Sequence, residues 1–517
     1  MGPSHSAYKC AIFSIYLFIA VFLQILLGNL SAEDRKPPVP YKATRMEEYS
    51  AFCALWRTDL SFHSTITVSN QLANTGIDAI PTLYMADGTQ WELPAIHLGK
   101  SGVQDLDINQ ALSNAPDGIR AHLSSYGSAA IRYRYDWQGA VYATMSIVDL
   151  TRSLSHVYPF VFPPDQGIRE NISPKTRAYR DAINGIKYEG LWFRKTHNTG
   201  GFLALANTSS ALLNVGIAVS GLRNPANRRV SIEGHNTALV DLAELFGNDE
   251  AKTGGITVQH SGRPGALQLA GGLEDAVAGF SADLPLTVAR AKAGDIGERQ
   301  YASVGILTNQ QDPELGFPST VKFWPYAFFR NISSTPRALH FAAYYMEGKT
   351  VTKLSLNDMT LRPGEAQELA VHDLLAKRPQ ISDINLTFTY VGDYGDILAA
   401  TGSADDSGSY VFSVYPMPIA PSGTQASSHW QFGSGFDTMY TIWNPLSTSQ
   451  DVLANLYYGD KGEQFKLPVH LEPYASVMLD VGEMIRTRQV TPDGNVIPLG
   501  VATLERRLTA CGMSELG

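Results

Sequence analysis

Ala130-Ile131-Arg132-Tyr133-Arg134-Tyr135 alternates apolar and charged side chains, and Ala143-Thr144-Met145-Ser146-Ile147-Val148-Asp149 follows after a short polar turn. A period of two puts Ile131, Tyr133 and Tyr135 on one side of an extended chain and both arginines on the other. That is a strand with one buried and one wet face. Leu467, Val469 and Leu471 show the same period, and related half-units occur at Ala266-Leu267-Gln268-Leu269 with Phe280-Ser281-Ala282-Asp283, and at Leu386-Thr387-Phe388-Thr389-Tyr390 with Ser403-Ala404-Asp405.

Before these half-units lie apolar runs that stop at an asparagine: Thr65–Asn70, Phe202–Asn207 and Ala327–Asn331, with a fourth at Tyr440–Asn444. Each is followed by a polar turn, further strands and an edge rich in Asp and Leu, as in Asp107-Ile108, Val240-Asp241-Leu242, Leu374-Leu375 and Leu479-Asp480-Val481. Asparagines 70, 207, 331 and 444 lie too far apart for solenoid repeats of about 20–50 residues. Their spacing suits a sandwich domain plus a variable linker, and about seven strands per unit matches an Ig-like sandwich. The expected fold is therefore all-β, with tandem Ig-like antiparallel β-sandwich modules at 58–162, 188–290 and 320–416, and an incomplete one at 428–517. Pro/Gly/Ser-rich stretches separate them. The fourth lacks a clear second half, and a short helix is expected over 44–56 within a linker at 33–57.

Residues 1–32 carry one formal charge, Lys9, then an apolar run from Ala11 to Leu30. A charged start, a greasy run and a polar boundary are the layout of a secretion signal, while the run is nearly long enough to span a bilayer as a helix. A cleaved signal and an uncleaved anchor at 11–30 are both expected readings, and both place the rest of the chain outside the cytoplasm. Composition agrees with a folded β protein: of 517 residues 44% are hydrophobic and only 17% charged, which excludes a disordered chain. A net charge of −9 argues against a nucleic-acid backbone as partner, and three cysteines cannot form a disulfide scaffold.

The asparagine, turn, strand, glycine, strand layout after Trp56 resembles the tandem Ig-like modules of bacterial exported and cell-surface proteins, including adhesion-type modules. The resemblance implies fold and compartment and carries no catalytic residue with it.

Asn70, Asn207, Asn331 and Asn444 sit at strand ends before small polar residues or proline, where an asparagine amide closes a turn on nearby backbone. The alternative reading is a ligand-facing amide in every module. Asn171, Asn207, Asn331 and Asn385 also open N-x-S/T acceptor triplets. Asp393, Asp396, Asp405 and Asp406 lie in Gly- and Ser-containing loops whose oxygens suit Ca²⁺, although their spacing matches no EF-hand; solvated turns are the competing reading. The chain contains no G-x-S-x-G elbow, H-E-x-x-H pair or phosphate-cradling glycine loop, so no catalytic residue and no cofactor is assigned. Aromatic clusters at Trp192-Phe193, Phe323-Trp324-Tyr326 and Trp430-Phe432-Phe436 are expected at joints between modules. The resulting expectation is a non-enzymatic, exported or cell-surface scaffold that binds a protein or glycan. A secreted carbohydrate-active or peptide-cleaving enzyme, with its site between modules, is the alternative. A third reading is an envelope subunit that accepts a strand from a neighbour.

Overall fold

Runs with a period of two and short continuous apolar runs both become strands. The computed structural model describes residues 46–149, 151–162, 187–289, 296–308, 322–375, 378, 381–405, 411–419, 424–426, 430–431, 438–458, 463–487 and 499–507. The expected signal or anchor at 1–32 lies outside them. Among the described residues no helix is long and apolar enough to cross a membrane.

The first quarter of the chain gives β1 (Glu47–Arg57), β2 (His63–Asn70), β3 (Ile77–Met85), β4 (Gln90–Glu92), β5 (Ile96–Leu98), β6 (Val103–Asp107), α1 (Ile108–Ser113), α2 (Asp117–Arg120), β7 (Tyr126–Tyr135), β8 (Val141–Asp149) and β9 (Leu154–Pro159). Next come β10 (Lys187–Phe193), β11 (Gly200–Asn207), β12 (Leu213–Ser220), β13 (Ala226–Ile232), β14 (Thr237–Asp241), α3 (Leu242–Phe246), β15 (Thr253–His260), β16 (Leu267–Asp275), β17 (Phe280–Asp283) and β18 (Leu286–Val288). The third set is β19 (Gly297–Leu307), β20 (Phe323–Asn331), β21 (Arg337–Glu347), β22 (Thr350–Ser355), β23 (Met359–Leu361), β24 (Ala366–Glu368), α4 (Val371–Leu375), β25 (Asp383–Gly392), β26 (Ile397–Asp405), β27 (Val411–Val414) and β28 (Met417–Pro418). The last is β29 (Thr424–Ala426), β30 (Trp430–Gln431), β31 (Met439–Trp443), β32 (Gln450–Tyr458), β33 (Glu463–Leu471), β34 (Ser476–Asp480), α5 (Val481–Arg486) and β35 (Leu499–Arg507).

Each set folds into a pair of antiparallel sheets. The major sheets run β1-β7-β3-β4, β13-β12-β15-β10-β18, β22-β21-β25-β19-β28 and β29-β35-β32-β33; the minor ones run β6-β2-β8-β9, β14-β11-β16-β17, β24-β20-β26-β27 and β31-β34. Apolar residues of both sheets meet between them, for example Leu83 and Ile131 against Ile66 and Met145 in the first pair. Three short helices start on an aspartate whose carboxylate caps the first turn: Asp107, Asp241 and Asp480 accept from the amides of Gln110, Ala243 and Glu483 at 3.0, 2.7 and 2.8 Å. The next residue, Ile108, Leu242 or Val481, is fully buried, which explains the recurring Asp-apolar edge.

Neighbouring pairs are joined sheet to sheet. Along β11, Leu203 and Leu205 enter their own core while Phe202, Ala204 and Ala206 enter the first one. Along β20, Ala327 and Phe329 face inward while Tyr326 and Phe328 join the second core. Ala204 and Ala206 let β11 approach the first pair closely, while the large rings of Tyr326 and Phe328 fill the next joint. β7 lies against β14, β15 against β24 and β19 against β31, and β35 returns to lie against β6. On the sheet that β6 borders, Thr67, Ser69, Thr144 and Ser146 are buried as well as the apolar residues between them.

Four sequence expectations are corrected. The helix expected over 44–56 is strand β1 from Glu47 onward: its apolar run is continuous because Cys53, Ala54, Leu55 and Trp56 are buried on both faces. The linker expected between the second and third modules contains β19, whose Ile306 and Leu307 are buried. The half-unit Ala266–Leu269 with Phe280–Asp283, expected to repeat 130–135 with 143–149, belongs instead to β16 and β17, which pair with each other, and the strand matching β7 is β15. Beyond Val481 the chain forms α5 and then β35, which pairs along β32.

Candidate functional site

The recurring asparagines make one contact set four times over. Asn207 is buried at the end of β11; its Nδ2 donates to the carbonyls of Ala211, Ile232 and Glu233 at 2.7, 3.1 and 2.9 Å. Its Oδ1 accepts from the amide and hydroxyl of Ser209 at 3.0 and 2.8 Å. Asn70 donates to Thr75 and Gly99 and accepts from Leu72. Asn331 donates to Thr335 and Leu361 and accepts from Ser333, while Asn444 donates to Thr448, Leu471 and Glu472 and accepts from Leu446. One amide thus clamps its own turn to a second turn reached much later in the chain. In the folded chain Asn207, Asn331 and Asn385 are buried and closed to glycan attachment; Asn171 lies outside the described residues.

The acidic residues separate. Asp393 and Asp396 sit in the turn before β26, where Asp396 Oδ2 accepts from Arg337 Nε and Nη2 at 2.9 and 2.6 Å and from the Asp393 amide at 2.9 Å. Asp405 is buried at the far end of β26, roughly 30 Å from Asp396 at about 3.3 Å per residue. Asp406 lies outside the described residues. Among the described residues no group of three or more metal-ligating side chains converges.

The turns before β8, β16 and β26 adjoin the clamped asparagines, because Val141, Leu267 and Ile397 pair with Asn70, Asn207 and Asn331. Two of these turns carry exposed aromatics, Trp137 at 52% and Tyr394 at 53%. The Trp137 ring lies over Gly139, where a Cβ would fall 2.4 Å from it, and the Arg299 guanidinium stacks 3.8 Å from the centre of the Tyr394 ring. A residue of the turn between β11 and β12, Leu212, is also exposed at this end of its pair.

Among the described residues a dense charged cluster lies where β9, β16 and β17 meet. His156 is fully buried on β9; its Nδ1 lies 3.1 Å from Asp283 Oδ1 and its Nε2 3.1 Å from Glu274 Oε1. Arg57 Nη1 donates to the same Glu274 oxygen at 3.2 Å, and the Tyr415 hydroxyl donates to Asp283 Oδ2 at 2.6 Å while its ring stays exposed. Burial opposes the charge on the His156 ring, but the bonds to Asp283 and Glu274 outweigh it and raise its pKa to about 9. Burial likewise opposes ionisation of Glu274, yet His156 and Arg57 hold its carboxyl below the usual range. A second buried cation, Arg330, crosses from β20 into the second pair, donating to the Gly190 carbonyl at 2.6 Å and to Glu189 at 2.8 Å.

The aromatic clusters divide between two tasks. Trp192 and Trp430 are core residues, and with Trp56 they occupy matching places on the first strands, each beside a glycine of the partner strand: Trp192 pairs with Gly254 and Trp430 with Gly500, while a Cβ on Gly127 would strike Trp56. Phe193, Tyr326 and Phe328 form the joint, with Phe193 stacked on both at 5.2 and 4.7 Å. The tryptophan–glycine match was not extracted from the sequence, though Leu55-Trp56-Arg57 and Leu191-Trp192-Phe193-Arg194 carry its trace. No family model matches the chain, and neither a curated protein nor a solved structure is similar to it.

Proposed function

We propose that the chain is an exported, non-enzymatic array of repeated Ig-like β-sandwich modules, a cell-surface scaffold that presents turns to a protein or glycan partner. The observation that carries this reading is the asparagine end of the first and third sheet pairs. There the asparagine amides clamp the turns after β2 and β20, the backbone amides of Gln71 and Ile332 donate to the carbonyls of Ala140 and Asp396 at the ends of the adjoining turns, and those turns carry Trp137 and Tyr394 in solvent. Exposed aromatics on pre-ordered turns are what a binding surface needs, since a ring supplies contact area at small entropic cost.

The test is binding of the full chain to arrayed cell-surface glycans and to intact cells, with Trp137→Ala and Tyr394→Ala as variants. Each variant is expected to lose at least tenfold in affinity for whatever the parent binds while melting within about 2 °C of it, because neither ring supports a core. Unchanged binding in the double variant would refute this surface.

A further inference from the structure

The joint of the first two sheet pairs is charged in a divided way. Its cations, His156 and Arg57, come from β9 and β1 of the first pair; its carboxylates, Glu274 and Asp283, come from β16 and β17 of the second. The third pair reaches in through the Tyr415 hydroxyl on Asp283. The seat is shaped for an imidazole: a Cβ on Gly272 would fall 2.5 Å from His156 Cε1, the Phe202 ring meets the imidazole edge to face at 5.2 Å, and Tyr158 stacks on it at 6.0 Å. Both ring nitrogens face carboxylate oxygens, which only accept. A neutral imidazole donates from one nitrogen and would aim the other's lone pair at an anion.

We propose that His156 is a bound imidazolium, protonated on both nitrogens, and that this proton is the latch holding the first sheet pair against the second. With the proton in place, two cations meet two carboxylates across the joint. Once it leaves, two largely buried carboxylates face one arginine, and the joint opens.

The other groups facing the ring do not replace that charge. Asp59 engages the far side of Arg57 at 2.8 Å, and Asp149 holds Arg152. Arg152 acts on Glu274 only at longer range. Tyr158, fully in the joint, donates to the Gly271 carbonyl at 3.1 Å; Tyr326 and Tyr142 sit behind Asp283 and Tyr415, and Cys53 lies behind Tyr158. Burial raises the pKa of each of these tyrosines and that of Cys53, so they stay neutral through the range in question.

The sign follows from linkage. A histidine whose folded value is raised contributes its full stabilisation below the unfolded value of 6.5 and loses it as pH climbs toward about 9. Glu274, held low, keeps its contribution above the ordinary carboxylate range and loses it only in stronger acid. The joint is therefore tightest in mild acid and loosens through neutral pH to the alkaline side.

The experiment is a pH titration of the full chain by NMR of ¹⁵N-histidine, read beside hydrogen exchange at two amides that bridge the joint. These are Ser155, which donates to Ser281 Oγ at 2.8 Å, and Thr237, which donates to the Ala86 carbonyl at 3.1 Å. The His156 ring is expected to show the imidazolium signature at pH 7, with its midpoint near 9. The opening constant at both amides, corrected for intrinsic exchange, should rise by up to about 300-fold between pH 6 and 9.5. In His156→Gln that pH dependence should vanish, and in Glu274→Gln the ring midpoint should fall by more than one pH unit. A neutral tautomer at pH 7, or the parental slope in His156→Gln, would overturn the proposal. If either variant fails to fold, the titration of the parent ring decides alone.

Discussion

Replacing Asn207 by alanine tests whether the recurring asparagine is a clamp. Its amide offers two hydrogens to three carbonyls, at 2.7, 2.9 and 3.1 Å, and its Oδ1 takes two bonds from Ser209. That is about four hydrogen bonds' worth of contact in a residue 2% exposed. At about 1 kcal/mol each, the local loss is about 3–5 kcal/mol. Asn207→Asp is the sharper variant. It keeps the bonds from Ser209 but turns the donor into an anionic oxygen facing three carbonyls, so it should cost at least as much as alanine. Ser209→Ala, by contrast, removes one hydroxyl bond and should cost about 1 kcal/mol. A joined array need not unfold in one step, so the assay is native-state hydrogen exchange at the amides of β11, β12 and β13 rather than a single melting curve. A loss below about 1 kcal/mol in Asn207→Ala, or an Asn207→Asp variant as stable as the parent, would refute the clamp and return the asparagine to the role of a ligand-facing group.

Arg330→Met strips the buried cation from Glu189, which keeps Lys187 and Thr257, and removes the bonds that cross the joint to the Gly190 and Ile256 carbonyls. It should destabilise the joint of the second and third pairs by about 3–5 kcal/mol, read by calorimetry, and pairing it with Glu189→Gln should recover part of the loss. Gly201→Ala forces a Cβ to 2.0 Å from the Gly272 carbonyl oxygen at a φ of +134°, and the variant is expected to express as aggregate or to melt more than 10 °C lower by circular dichroism.

Much of the architecture was legible because its signals are local. The alternation of Ile131 and Tyr133 with Arg132 and Arg134 needs only a pleat and one wet face. The asparagine at a strand end needs only a turn. The aspartate before Ile108, Leu242 and Val481 was visible as a pattern, although its job as a helix cap emerged only with the backbone. Where the reading slipped, strands were buried on both faces. β1 lost its alternation because Cys53, Ala54, Leu55 and Trp56 are all covered, and a continuous apolar run has no period by which to tell strand from helix.

The charged joint was illegible for a different reason. His156, Glu274, Asp283 and Arg57 are scattered through the chain, and each alone reads as an ordinary polar residue. The amino-acid sequence by itself determined the all-β class, the strand-ending asparagines and the order of the units, since hydrophobic period and turn chemistry act between near neighbours. Which sheet faces which, that Gly272 leaves room for an imidazole, and that two cations find two carboxylates were decided only by tertiary packing. Electrostatic partners are chosen by distance in space, and that distance exists only once the sheets have closed on one another.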